Sequence, residues 1–356
     1  MSMYLVKIRP LDLFSFSTDQ KNEYPDDTFS TGKETYFLRS RQLPPQTTIL
    51  GMIRYILLDS EKLLKSDFNY NAQDRVKMSE LIGKESFSFA VKTEVQSFGI
   101  IHSISPVFLI NEKGEYLVSN PLNNKAKSQG YDPIIMSENK TVTSSGELSL
   151  PSHGEYDAKE GFASGYYNLT TGEIEHEIFK SQYRVENRKN NFEETTPKNE
   201  ERDGGLFKRE MLSMKEGYSF AVFLDAEFFP AESFGKMGKK KCPYYVFSEK
   251  KANDLESQVK KAFRNSSVWY YALSDLCPVQ YVRPDTFFMS DTDYIRNIET
   301  DYQEKTHNKK FKKSEHRFNI YKSGSVFYSK SPDGFTNENY KKIGMNYLVK
   351  IGGENK

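Results

Sequence analysis

Arg39 and Arg41 stand at the head of a short run that passes through Leu43-Pro44-Pro45 and Thr47-Thr48 to Gly51 and Arg54. A double proline stops a strand and holds the chain extended, and either threonine can cap a helix that begins behind it. The opening turn of a helix carries unpaired N–H groups and the positive end of the dipole, so arginines placed beside it suit an anion such as a phosphate. Gly51 inside that helix costs about 1 kcal/mol against alanine and marks a close approach to a ligand or to a packed strand. A second candidate anion site is Phe234–Lys241, where Gly235 and Gly238 would let backbone N–H groups come near phosphate. Lys236, Lys239, Lys240 and Lys241 add charge there, although no Gly-x-x-x-x-Gly-Lys-Ser/Thr pattern is present. Arg184 and Arg188, and then Lys208 and Arg209, flank a polar stretch and could lie along a nucleic-acid backbone, fixing position rather than reading sequence. Tyr166 and Tyr167 are candidates to order bases by stacking. The basic run from 305 to 317 is diluted by Glu304 and Glu315 and reads as a solvated face.

Catalytic patterns are weak by comparison. The histidines are His102, His153, His176, His307 and His316, and none forms a metal pair at helical or turn spacing. No Gly-x-Ser-x-Gly elbow occurs. His102 beside a strand could act as a general acid or base on RNA, but that chemistry needs a second positioned group near the 2′-OH. Asp26-Asp27 sit in an early loop, where carboxylates usually serve turns. No cofactor is expected.

The elements that must hold these residues can be read from periodicity. Met3 to Arg9 alternates as a strand, and residues 19–33 are polar and turn-rich. Ile49, Met52, Ile53, Ile56 and Leu57 form the apolar stripe of a helix running from about Thr47 into the sixties. Glu85 to Val91 reads as a strand, and 106–118 as a hairpin with Gly114 in its loop. Leu206–Met214 and Tyr218–Asp225 read as a second hairpin, and residues 250–263 as a helix. Arg317–Tyr328 and Tyr347–Ile351 read as closing strands. The strand–helix–strand–strand order, met twice, predicts an α+β chain of two ferredoxin-like (RRM-like) domains. The first spans 1–180 and carries a long thumb-like insertion at about 120–172. The second spans 181–356 and carries a mobile, Asn-, Glu- and Lys-rich segment at about 186–205.

The chain has 356 residues, 28% of them charged, yet its formal net charge is only +1, so any nucleic acid must be held by local clusters. Two distant cysteines, Cys242 and Cys277, imply a reducing compartment, and no apolar run is long enough to span a bilayer. A cytoplasmic location is the expectation, with no membrane partner and no homo-oligomer.

The order of an N-terminal strand, a loop, Leu43-Pro44-Pro45, Thr47, Thr48, Gly51 and Arg54 resembles the RAMP superfamily of CRISPR effector subunits. It is most similar to the subunit-three family of the type III-B (Cmr) complex. Phe234–Lys241 resembles a degenerate form of the superfamily's glycine-rich loop, with fewer glycines and no arginine. The resemblance implies a non-catalytic subunit that grips the 5′ tag of the guide RNA (crRNA). It further implies contact with the large polymerase/cyclase-type signalling subunit and with the first backbone RAMP subunit. Alternatives within reach of the sequence are a RAMP endoribonuclease using His102 or Asp26, a scaffold without RNA contact, and the equivalent type III-A capping subunit.

Overall fold

The computed structural model describes residues 2–24, 35–67, 69–89, 94–143, 146–152, 155, 159, 164–187, 206–238, 241–264, 266, 268–280, 288–295, 298–302, 309–313, 317–328, 332 and 334–352. The N-terminal alternation becomes the strand Ser2–Pro10, which lies inside a nine-stranded sheet. Its neighbours, Tyr218–Ala226 and Cys242–Lys250, both run antiparallel to it. Beyond Tyr218–Ala226 follow Phe108–Asn111, Tyr116–Ser119, Tyr166–Asn168 and Ile174–Glu175, and Ile101–Ile104 also pairs with Tyr218–Ala226. Beyond Cys242–Lys250 lies Glu232–Met237. Strands from both sides of residue 180 therefore pair in one sheet.

The centre of this sheet is buried on both faces. Tyr4, Val6, Ile8, Phe220, Val222 and Leu224 share a core with the apolar stripe of helix Gln46–Ser60, as the periodicity predicts. Leu5, Ala221 and Phe223 belong to a second core that includes Leu255 and Val259 of helix Leu255–Ala262. Each large side chain so buried contributes about 1.5–3 kcal/mol, which is why a strand with apolar residues on both faces takes the middle.

A separate four-stranded sheet runs Phe179–Asn187, Leu206–Met214, Thr35–Arg41, Phe16–Tyr24, with Thr35–Arg41 parallel to Leu206–Met214. A third sheet joins Phe288–Met289, Val326–Phe327, Tyr270–Ala272 and Leu348–Lys350. The chain is thus a mixed α+β fold, mostly antiparallel, with four helices among the described residues. None of these is long and apolar enough to cross a membrane.

Several local expectations change. Leu206–Met214 and Tyr218–Ala226 do not pair as a hairpin: they belong to different sheets, and the Lys215-Glu216-Gly217 turn redirects the chain between them. Residues 85–89 pair in no ladder; Phe87 and Phe89 pack in an aromatic cluster with Tyr340, and residues 90–91 lie outside the described residues. The predicted strand over 317–328 is broken by a turn at Gly324, whose φ of 92° would strain another residue. The segment 120–172 is not wholly an insertion, since Tyr166–Asn168 returns to the main sheet; Met136–Thr143 and Gly146–Pro151 form their own ribbon.

Candidate nucleic-acid interface

Strand Thr35–Arg41 delivers the first arginine to the surface. Arg39 is exposed, with its guanidinium carbon 5.9 Å from the centroid of Phe37, two residues back on the same strand. Phe37 packs on Tyr183 of the outer strand at 5.6 Å between centroids. Tyr183 is 56% exposed and carries the Nζ of Lys208 at 5.3 Å. The register explains the grouping: Lys208 stands opposite Phe37 on one side and Val185 on the other, so alternation puts all three on one face. Val185 is itself 69% exposed. Glu210, a carboxylate beside them, is held by the Ser40 backbone N–H at 2.9 Å and the Ser181 hydroxyl at 2.7 Å. The result is a sheet face of rings overlaid by cations, a combination that can stack bases and hold phosphates.

Arg41 goes elsewhere. Its Nε and Nη2 donate to Asp293 Oδ2 at 3.0 and 2.7 Å, and its Nη1 donates to Asp275 Oδ2 at 2.6 Å. The side chain of Asp293 is 3% exposed. Asp275 Oδ1 accepts in turn from the Ser323 N–H, and Asp293 Oδ1 from the Tyr294 N–H. One cation between two carboxylates has no attraction left for phosphate. The expectation of an RNA contact at Arg41 is therefore corrected: it clamps the four-stranded sheet to the C-terminal part of the chain.

The helix behind the proline turn starts at Gln46, with Pro45 as N-cap and no side-chain cap, so neither Thr47 nor Thr48 caps it. The Gln46 amide instead donates to the carbonyls of Ser105 and Gly344, each at 3.1 Å, tying the first turn to two distant segments. Thr47 and Thr48 remain half-exposed on the opening turn, and that turn has no acidic residue. Gly51 is exposed, and a Cβ there would meet nothing within 4 Å. Among the described residues no close approach accounts for it. Arg54 folds back: its Nη2 donates to the Glu85 carbonyl at 2.9 Å and its guanidinium lies 5.0 Å over Phe98. Burial pushes its pKa down to about 10, which leaves it charged at neutral pH.

The glycine-rich hairpin divides in the same way. Gly235 is buried, and a Cβ there would sit 2.7 Å from Met52 Cγ, so its place is the crossing of strand and helix rather than a phosphate. Gly238 takes a φ of 73° in the turn and comes close to the Ser15 carbonyl. Lys236 and Lys241 are exposed, while Lys239 and Lys240 lie outside the described residues.

Several other candidates are repositioned. Tyr166 and Tyr167 are 5% and 6% exposed. The Tyr166 hydroxyl donates to Gln42 and its ring packs on Phe179, and Tyr167 packs on Phe263 and Tyr131. Rings enclosed in this way offer no open face to a base, so the expected stacking role does not stand. Arg209 is buried, with Nε donating to Glu186 at 2.9 Å. Arg184 is exposed on the same outer strand, and Arg188 lies outside the described residues, as do Asp26 and Asp27. His102 sits half-buried in Ile101–Ile104 and His176 is exposed. No group of three or more metal-binding side chains occurs among the described residues. Phe37 and the carboxylates Asp275 and Asp293 escaped the sequence reading. Alternation of ring and cation over Phe37-Leu38-Arg39 was the available signal for the first, and none existed for the other two.

Similarity to known proteins supplies the remaining observation. The fold matches a chain of the "Cryo-EM structure of the Type III-B Cmr-beta bound to cognate target RNA" with a TM-score of 0.51 and 17% identity, covering 98% of this chain and 96% of that one. A chain of the "Crystal structure of Csm3-Csm4 subcomplex in the type III-A CRISPR-Cas interference complex" is more distant, with a TM-score of 0.40, 10% identity and coverage of 98% and 100%. The comparison with curated proteins gave no match. Residues 6–266 match the family described as CRISPR-associated protein (Cas_Cmr3), and over that span, most of its length, the chain belongs to this family.

Proposed function

We propose that this chain is a non-catalytic guide-RNA-binding subunit of a type III CRISPR effector complex, of the type III-B (Cmr) kind. In that role it grips the 5′ tag of the guide RNA and bridges the large signalling subunit to the first backbone subunit. Family membership supports the assignment to such a complex, and the matched fold comes from one bound to target RNA. The observation that carries RNA contact is the exposed face on which Arg39 and Lys208 overlie Phe37 and Tyr183. Gly51 adds to it: an exposed helical glycine with no neighbour among the described residues is suited to an external strand passing close by. The arginine wall expected from sequence contracts accordingly, keeping Arg39 with Thr47 and Gly51 and releasing Arg41 and Arg54.

Within this reading the strands Phe108–Asn111, Tyr218–Ala226, Ser2–Pro10 and Cys242–Lys250, in that order, form a ferredoxin-like unit. Helix Gln46–Ser60 lies in the connection between its two parallel members, Ser2–Pro10 and Phe108–Asn111. On that basis we place the division of the chain nearer residue 250 than residue 180, with the sheet of Tyr270–Ala272, Val326–Phe327 and Leu348–Lys350 in the second unit.

The test is the salt dependence of binding to a guide RNA bearing its 5′ tag. Arg39→Ala with Lys208→Ala should weaken binding and flatten the log–log salt slope by about 1.4, at roughly 0.7 for each phosphate contact on a single strand. An unchanged slope removes the proposed contact. Prolonged incubation with the same RNA should leave it intact; cleavage abolished by His102→Ala would instead make the chain a ribonuclease.

A further inference from the structure

The hairpin Glu232–Met237/Cys242–Lys250 has one face against helix Gln46–Ser60, where Gly235, Met237, Tyr244 and Val246 are buried. Its other face is open. Across the ladder Arg9 stands opposite Tyr245, and Tyr245 opposite Phe234, giving one row of cation, ring, ring. The next row on the same face places Lys7 opposite Phe247, and Phe247 opposite Glu232. Lys236 shares this face one step further along its strand. Phe234 is 64% exposed, its centroid 5.6 Å from that of Tyr245. The register rules out a misplaced core residue, because strict alternation sends these rings outward while their neighbours fill the interior.

The charges are arranged to match. Of the carboxylates on the face, Glu249 is paired with the Lys7 ammonium at 3.0 Å, and Glu232 lies near enough to Tyr245 to raise the pKa of its hydroxyl. Arg9 and Lys236 are exposed and have no ion-pair partner among the described residues. Lys7 also lies 5.7 Å over Phe247. Exposed rings with positive charge on two sides, and with Glu249 already paired, fit a single strand of RNA better than an acidic or a purely apolar partner.

We infer that this sheet face is a base-stacking platform for single-stranded RNA, with Phe234 and Tyr245 under neighbouring bases and Arg9 and Lys236 at the flanking phosphates. It deepens the RNA-binding reading and rests on it, but uses surface distinct from Phe37 and Tyr183.

The full-length protein is titrated with an oligouridine of about eight nucleotides and with an abasic ribose-phosphate strand of the same length. The intact protein should prefer the base-bearing strand by about tenfold or more, and Phe234→Ala with Tyr245→Ala should shrink that preference to about twofold or less. Phe234→Tyr should restore it, which separates stacking from any loss of fold. Arg39→Ala with Lys208→Ala should weaken the two strands alike and leave part of the preference in place. If the intact protein binds both strands equally, or if the double ring variant keeps the full preference, the platform is overturned while the RNA reading stands. If the ring variants keep RNA binding but lose co-assembly with a neighbouring subunit, the face is a protein contact and the inference fails. If neither strand nor the tagged guide RNA binds at all, both readings fall together.

Discussion

Arg39 and Arg41 leave the same strand on the same face, two residues apart, and meet opposite surroundings. Arg39 is exposed over an aromatic ring, whereas Arg41 is locked between Asp275 and Asp293. Gly51 and Gly235 form a parallel pair, since a side chain at the first would enter open space and at the second would strike Met52. In each pair residue type is constant and function diverges, because partners more than 180 residues away in the chain decide which member is structural. A cation becomes a ligand-binding group only where no carboxylate has reached it first.

The largest effect that would break this contrast is at Arg41. Arg41→Ala leaves Asp293 buried without its cation and should lower stability by about 3–5 kcal/mol, read as a shift in the midpoint of denaturant unfolding. A loss under 1 kcal/mol would mean that the clamp is loose and that Arg41 is as available as Arg39. Gly235→Ala forces Met52 to move in a packed core and should cost about 1–3 kcal/mol, measured in the same way. Gly51→Ala has the reverse sign: the free protein should gain up to about 1 kcal/mol of stability while tagged-RNA affinity falls. Stabilisation with unchanged affinity would reduce Gly51 to an ordinary surface position. Smallest of all should be the stability change for Arg39→Ala, within about 0.5 kcal/mol, so that its whole consequence appears in RNA binding.

The helix Gln46–Ser60, the strand Ser2–Pro10 and the hairpin over 108–119 were legible because each follows from a local period. What periodicity could not carry was partnership between distant segments. Leu206–Met214 looked like the first half of a hairpin because the turn after it is short; its real partners are Phe179–Asn187 and Thr35–Arg41. The candidate site suffered from the same blindness. Tyr166 and Tyr167 looked solvent-facing within a polar stretch, yet a three-residue strand carries them into the main sheet. Arg54 seemed to continue the arginine run until Phe98 covered it. Burial of a ring or pairing of a charge depends on what folds against it, and a single sequence reports only what is nearby.

The Gln46 amide, held by the carbonyls of Ser105 and Gly344, has a consequence for biosynthesis. Gly344 leaves the ribosome almost 300 residues after Gln46, so a nascent chain can form the helix and still lack the contact that sets its first turn. The opening turn of the helix is then fixed only once Gly344 has emerged and folded back onto it.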